Sequence, residues 1–358
     1  MRLLTDLPAE TILGIYSLCS SVHDVLNLSQ TCRRLHALLP PSQKLSVLLS
    51  VAEVHAGPIF DVVQLLTVND MQAAHEIRQP SISYSLLRDI ISVSHTAREW
   101  QEIYPSKKWD EKYADRRVLT AAEQYSLRRA IYRLGLFSRA FHNCNYPRES
   151  RLHPIMIAQR CRLLRAWSTE ELAEIEDVRA IMRSVLESSL LGNDDLHWEL
   201  EPAFPGRHQQ QPSAFPLASR SYLNLASTMK NAFHTSYERG LVNQRPHGRQ
   251  TSSLSTGMYG WVDDITRFYV LEDLMKLDPE QVLWLRENAC PNMQVLDHVA
   301  PVGEEWFMNN GETFAQTFEA VMVDRGEDVR EIRERIARGE LGIARRIGDL
   351  QDVKAIDS

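Results

Sequence analysis

The chain has 358 residues, of which 44% are apolar and 24% charged, with a formal net charge of −7. At about 100–200 residues per domain, that length predicts two or three folding units of ordinary globular composition. No apolar run nears the roughly 20 residues that span a bilayer, and the opening MRLLTDLPAE lacks the apolar stretch of a secretory signal. Five scattered cysteines (Cys19, Cys32, Cys144, Cys161, Cys290) form no C-x-x-C pair. They point away from a disulfide framework or zinc site and toward a reducing compartment, cytoplasmic or nuclear. The charge is uneven: residues 1–200 carry 23 basic and 24 acidic side chains, 201–258 carry 6 and 2, and 259–358 carry 11 and 21. So acidic a last third argues against nucleic acid or an anionic membrane as its partner.

The first patterned stretch is LPAETILGIYSLCSSVHDVLNLSQTCRRLHALL, from Leu7 to Leu39. Pro8 suits the first position of a helix, and Ile12, Leu13, Ile15, Tyr16 and Leu18 crowd the next turns. After a polar break that Ser21 or Asp24 can cap, a second helix carries Val25, Leu26 and Leu28. A third, with Cys32, Leu35 and Leu38, ends at Pro40-Pro41. So short a unit buries too little surface to be stable alone. Apolar residues on more than one face of each helix call for further packing partners, in part the helix expected from near Lys44 and in part another chain.

Period-3.6 spacing recurs downstream, and period-2 alternation is scarce, so the fold class predicted is all-α. In LTAAEQYSLRRAIYRLGLFSRAFH, residues Leu127, Ala130, Ile131, Leu134 and Phe141 share one face behind a Thr120–Glu123 capping box. WSTEELAEIEDVRAIMRSVLESSLLG repeats this with Ser168 and Glu171, and Gly192 as its stop. In LDPEQVLWLRENAC, Asp278 is the cap, Pro279 the first helical residue and Gln281 the third. DVREIRERIARGELGIARRIGDL predicts a charged helix with Glu331–Arg335 and Glu334–Arg338 pairs, weakened at Gly339 and Gly342. Residues 142–154, 201–219 and 243–257 break the helical pattern and predict long surface loops.

Leu7-Pro8-x-Glu10, Ile12-Leu13, Ile15-Tyr16, Asp24-Val25-Leu26-x-Leu28 and Thr31-Cys32-Arg33-Arg34-Leu35-His36 resemble, in this order, an F-box of the form common in filamentous fungi. The likeness covers about residues 4–42. The remainder resembles the helical region that follows the F-box in many fungal proteins. The resemblance implies an N-terminal three-helix F-box (1–43) followed by a larger irregular helical domain (44–358). It also implies a non-catalytic role, that of substrate-recognition adaptor in a cullin–RING ubiquitin ligase. A Skp-type linker would bind the F-box and join it to a cullin, and the rest would recruit a protein substrate. Carried over by position, the linker contacts fall on Leu7, Pro8, Ile12, Ile15, Leu18, Val25, Leu28, Cys32 and Leu35, with Arg33 at the rim. Thr11 departs from the family, which usually has an apolar or long side chain there.

Two other readings stand beside it, the first resting on the same resemblance and the second on the residues. The first keeps the F-box but not ubiquitination: a linker-bound scaffold. The second takes segment 98–165, with 15 basic and 7 acidic residues interleaved with aromatics, as a surface for nucleic acid or acidic peptides. Against it, those aromatics also suit a core. No nucleophile elbow, phosphate-binding loop, dinucleotide fingerprint or HExxH motif occurs. No cofactor, metal or membrane partner is expected.

Overall fold

In the computed structural model, the residues described are 7–19, 21–110, 115–143, 146, 148–189, 271–272, 274–288 and 312–345. Among them the chain is all-α, with twelve α-helices, one 3₁₀ segment (Arg148–Leu152) and no strand. The predicted loops 201–219 and 243–257 and the helix stop at Gly192 lie outside the described residues.

The described residues fall in two compact units. The first comprises Met1–Ala140, Arg162–Val178 and Val321–Ser358, the second Phe141–Cys161 and Arg179–Ala320.

The first unit opens with α1 (Ala9–Ser17), α2 (Val22–Gln30), α3 (Arg33–Leu38) and α4 (Pro41–Ala56). Pro8 caps α1 rather than opening it, and its carbonyl accepts from the Ile12 amide at 3.2 Å. Ser21 caps α2, accepting from the Asp24 amide at 3.1 Å. Helices α1 to α3, of 6 to 9 residues, are marginal in isolation and owe their order to packing. That packing is a shared apolar cluster of Ile12 and Tyr16 from α1, Val25 from α2 and Leu35 from α3, with Leu39 behind it. Leu48, Val51 and Ala52 of α4 and Leu87 close it.

Helix α5 (Ile59–Thr67) follows a sharp bend at Gly57, where a β-carbon would meet the Glu53 carbonyl oxygen at 2.1 Å. Only glycine fits so close an approach of backbone to backbone. The loop after α5 is pinned by Arg78. Its amide donates to Gln64 Oε1 (2.9 Å), its carbonyl accepts from Gln64 Nε2 (2.7 Å), and its guanidinium reaches the Gln64 carbonyl (3.0 Å). Helix α6 (Tyr84–Lys108) starts at Ser83, whose hydroxyl accepts from the Leu86 amide. It ends with Lys107 and Lys108 beside its own carbonyl pole.

Helix α7 (Ala121–Phe141) carries the expected face: Leu127, Ala130, Ile131, Leu134 and Phe141 are all buried. Its capping box forms as read, with Thr120 Oγ1 accepting from the Glu123 amide and Glu123 Oε2 from the Thr120 amide. Then come α8 (Pro154–Arg165), α9 (Thr169–Ser189), α10 (Pro279–Asn288), α11 (Phe314–Asp324) and α12 (Val329–Arg338). The boxes at Ser168–Glu171 and Asp278–Gln281 are both closed reciprocally. On α12, Glu334 pairs with Arg330 rather than with Arg338, and Arg335 and Arg338 both turn to Glu340. The reason is the helix end. Gly339 adopts φ +75° and stops α12, which brings Glu340 back over the last turn.

In the second unit, polar groups are buried together. His142 accepts at Nε2 from the Thr313 amide (3.2 Å), which leaves Nδ1 to donate to the Lys276 carbonyl (3.1 Å). Burial, then the charge of Lys276, lowers its pKa from 6.5 to about 3. Arg179 pairs with Glu312 at 3.1 Å and lies over the Phe314 ring, and Glu312 in turn caps α11 by accepting from the Phe314 amide.

Candidate functional site

Of the ten positions expected to meet a linker, three are enclosed by the chain itself: Ile12 (0% exposed), Val25 (0%) and Leu35 (2%). They form the floor that α4 and Leu87 cover. Leu7, Leu28 and Cys32 are half-buried and lean on the same cluster, and Ile15 is half-buried too. Pro8 and Arg33 are exposed, and Leu18 is 86% exposed. A side chain of that size left in water forgoes about 1.5–3 kcal/mol of burial. Among these ten, it is therefore the position from which a partner gains most without disturbing the core.

Two polar ties set the shape of this end. Tyr16 Oη donates to the Leu35 carbonyl (3.0 Å), joining α1 to α3. Arg34 Nη2 donates to the Leu7 carbonyl (3.0 Å), holding the segment that enters α1 against α3. Sequence pattern placed Tyr16 and Arg34 in the motif without showing these ties, because both join residues 19 or more apart. Burial, then the neighbouring thiols of Cys32 and Cys19, raises the Tyr16 pKa. Burial, then Asp24, raises that of Cys19, so its thiol is a poorer nucleophile than a free cysteine.

The basic segment 98–165 is mostly committed inward. Trp100, Tyr104, Tyr132, Phe137 and Phe141 are core. Arg128 donates to the Gly57 carbonyl (2.7 Å), Arg129 chelates Glu174 (2.6 and 2.7 Å), and Arg133 holds Asp61 (2.7 Å) and Glu171 (2.9 Å). Arg129 and Arg133 share a helix face, but that face meets the chain's own carboxylates. A guanidinium so engaged cannot also fork onto a phosphate.

A third group was not legible in the sequence at all. Asp177 of α9, 1% exposed, accepts from Tyr104 Oη (2.6 Å), Lys108 Nζ (2.7 Å) and the Ile343 amide (3.0 Å). Glu123 accepts from the Arg345 amide (3.3 Å) and forms a two-toothed pair with Arg117, whose Nη2 also donates to the Arg345 carbonyl (2.9 Å). Burial, then the Asp177 charge, pushes the Tyr104 pKa far up, so its hydroxyl remains a donor. The arrangement supplies no nucleophile with an open approach.

Among the described residues, no group of His, Cys, Asp and Glu is arranged to hold a metal ion, and no single helix is long and apolar enough to cross a membrane. No family model matches the chain, and no curated protein or solved structure matches it either.

Proposed function

We propose that residues 7–39 are an F-box-like docking module and that the chain is a non-catalytic adaptor. In this reading the module binds a Skp-type linker protein and, through it, a cullin, while the helical remainder recruits a protein for ubiquitination. One observation carries the reading. The ordered motif falls on three short helices whose internal positions are filled from within, yet Leu18 stands 86% exposed beside half-buried Ile15. Interfaces concentrate their energy in a few such apolar anchors. Exposed Pro8 and Arg33 supply its rim.

The experiment is co-purification of Leu18→Glu with linker and cullin. A charge at an exposed position leaves the fold intact and removes the anchor, so the variant should retain its helical signal and lose the linker. Equal capture by wild type and variant overturns the reading. Ile12→Ala is the wrong probe, because it opens the core as well as the surface. Capture of linker without cullin would favour a scaffold over a ligase subunit.

A further inference from the structure

We infer that the segment Leu341–Arg345 is a peptide bound in cis, in a seat that also accepts the same chemistry in trans. The chain leaves α12 at Gly339 and continues to Arg345 with no helix and no strand. Leu341, Ile343 and Ala344 are nonetheless buried (7%, 2% and 4% exposed). An irregular segment is buried at such depth only when its backbone polar groups find partners. Here the Leu341 amide returns to the Arg335 carbonyl of α12 (3.3 Å), and the later groups find theirs on other elements. The Ile343 amide goes to Asp177, the Arg345 amide to Glu123, and the Arg345 carbonyl to Arg117.

This is how extended peptides are recognised in general: main-chain hydrogen bonds give affinity, and sockets for alternate side chains give selectivity. The seat is selective at one further place. Gly342 has φ +87°, and a β-carbon there would meet Asp177 Oδ2 at 2.5 Å. The segment therefore reads as glycine, then an aliphatic residue, then a small one, against a buried carboxylate. The groups that define the seat belong to α6, α7, α9, the Arg117 turn and the last turn of α12. None is supplied by the segment itself. In the adaptor reading, a substrate segment with a Gly-aliphatic-small core would take this seat by displacing the tail. That last step rests on the adaptor reading, whereas the exchange of the tail does not.

The test uses the full chain with a specific protease site inserted between Gly339 and Glu340, folded first and then cleaved. A labelled synthetic peptide of residues 340–358 is added in about hundredfold excess, with no linker protein present. The fragment should leave and the peptide should replace it in a saturable way, with the helical signal of the nicked chain unchanged. The same peptide carrying Gly342→Ala should bind at least about tenfold more weakly, while Glu340→Ala, which gives up only half-exposed ion pairs with Arg335 and Arg338, should weaken binding by no more than about threefold. A fragment that never exchanges, a nicked chain that unfolds when the fragment leaves, or equal binding of the Gly342→Ala peptide each overturns the inference. None of these outcomes bears on linker capture, which the Leu18→Glu experiment measures separately.

Discussion

The α1–α4 end and the α7–α9 contact are held together by different forces. At the α1–α4 end, nine buried apolar side chains form one cluster, and the polar ties across it go to main-chain carbonyls. Between α7 and α9, the ties are ion pairs: Arg129 with Glu174 and Glu171, and Arg133 with Glu171 and Asp61 of α5. Apolar packing is non-directional, so a lost methylene weakens it by degrees. A buried ion pair behaves otherwise. It contributes little net stability when whole, because desolvation offsets attraction, and it costs much when one partner is removed. These ion pairs thus fix one arrangement of α7 and α9 more than they add strength to the buried apolar faces of the two helices.

The largest effect should come from Asp177→Ala. Tyr104 Oη would lose its acceptor and Lys108 its counter-ion, keeping only the Ile336 carbonyl (3.1 Å), in a site where Asp177 itself is 1% exposed. About 3–5 kcal/mol should be lost, as for other broken buried pairs, and urea unfolding at pH 7 measures it. A loss below about 1 kcal/mol would show that water reaches the ammonium and that the site is not closed.

The next pair of variants separates the two forces. Ile12→Ala should cost about 2–5 kcal/mol and Ile12→Val about 0.5–1.5 kcal/mol, a graded response. Arg133→Met should cost about 3–5 kcal/mol, since it leaves Asp61 buried without its cation. Adding Asp61→Leu to Arg133→Met should recover most of that loss. Recovery of nothing would place the stabilisation in the Arg133 stack on Trp167 (5.2 Å) instead of in the charge pair.

The same contrast explains what the sequence could reveal. The α1–α4 end was legible because its information is local: apolar spacing, a cap at Ser21 and stops at prolines. The three capping boxes were legible for the same reason, each being closed within four consecutive residues. The α7–α9 lattice was not. Arg129 and Arg133 stand four apart within the basic segment 98–165, but their partners lie 38 to 72 positions away in sequence, and no periodicity encodes such a distance. Asp177 looked like one more charge on an acidic helix. Its role depends on Ile343 arriving from 166 residues further on. Gly342 was read as a helix weakener, and its positive φ against Asp177 is the physical reason for glycine there.

Acid should act mainly on the second unit. The folded pKa of His142 is lowered from 6.5 to about 3. Below the unfolded value the unfolded chain therefore binds a proton that the folded chain refuses, and stability falls as pH falls from about 6.5 toward 3. The slope is about 1.4 kcal/mol per pH unit, or about 2 kcal/mol between pH 6.5 and 5. Carboxylates of the first unit act in the lower part of the same range and partly cancel one another. Glu123 is held low despite its burial, by Arg117 and Thr120, and loses stabilising charge on acidification. Asp61 and Glu174 are raised, chiefly by burial, and gain stability as they take protons. His142→Gln should flatten the pH 5–6.5 limb of urea unfolding. An unchanged slope would mean that His142 reaches solvent.

The smallest effect tests the contrast at the surface. Arg330 and Glu334 form an i,i+4 pair on α12 at 3.0 Å, with side chains 87% and 53% exposed. Exposed pairs gain little Coulomb energy in water and must hold two long side chains in one geometry, so Glu334→Ala should change stability by no more than about 0.5 kcal/mol. The helix is instead fixed by Ile332 and Ile336, 1% and 5% exposed, and by Arg333 reaching Glu176 at 2.8 Å. Ile336→Ala, measured beside Glu334→Ala, should therefore cost several times more. Raising salt to 1 M, where the screening length is about 3 Å, should erase the small effect and leave the large one. If Glu334→Ala instead costs more than about 1 kcal/mol and salt abolishes that cost, α12 is held by charge at its surface as well as by its buried face. The division between apolar and ionic regions would then have to be drawn at α12 and not at α7.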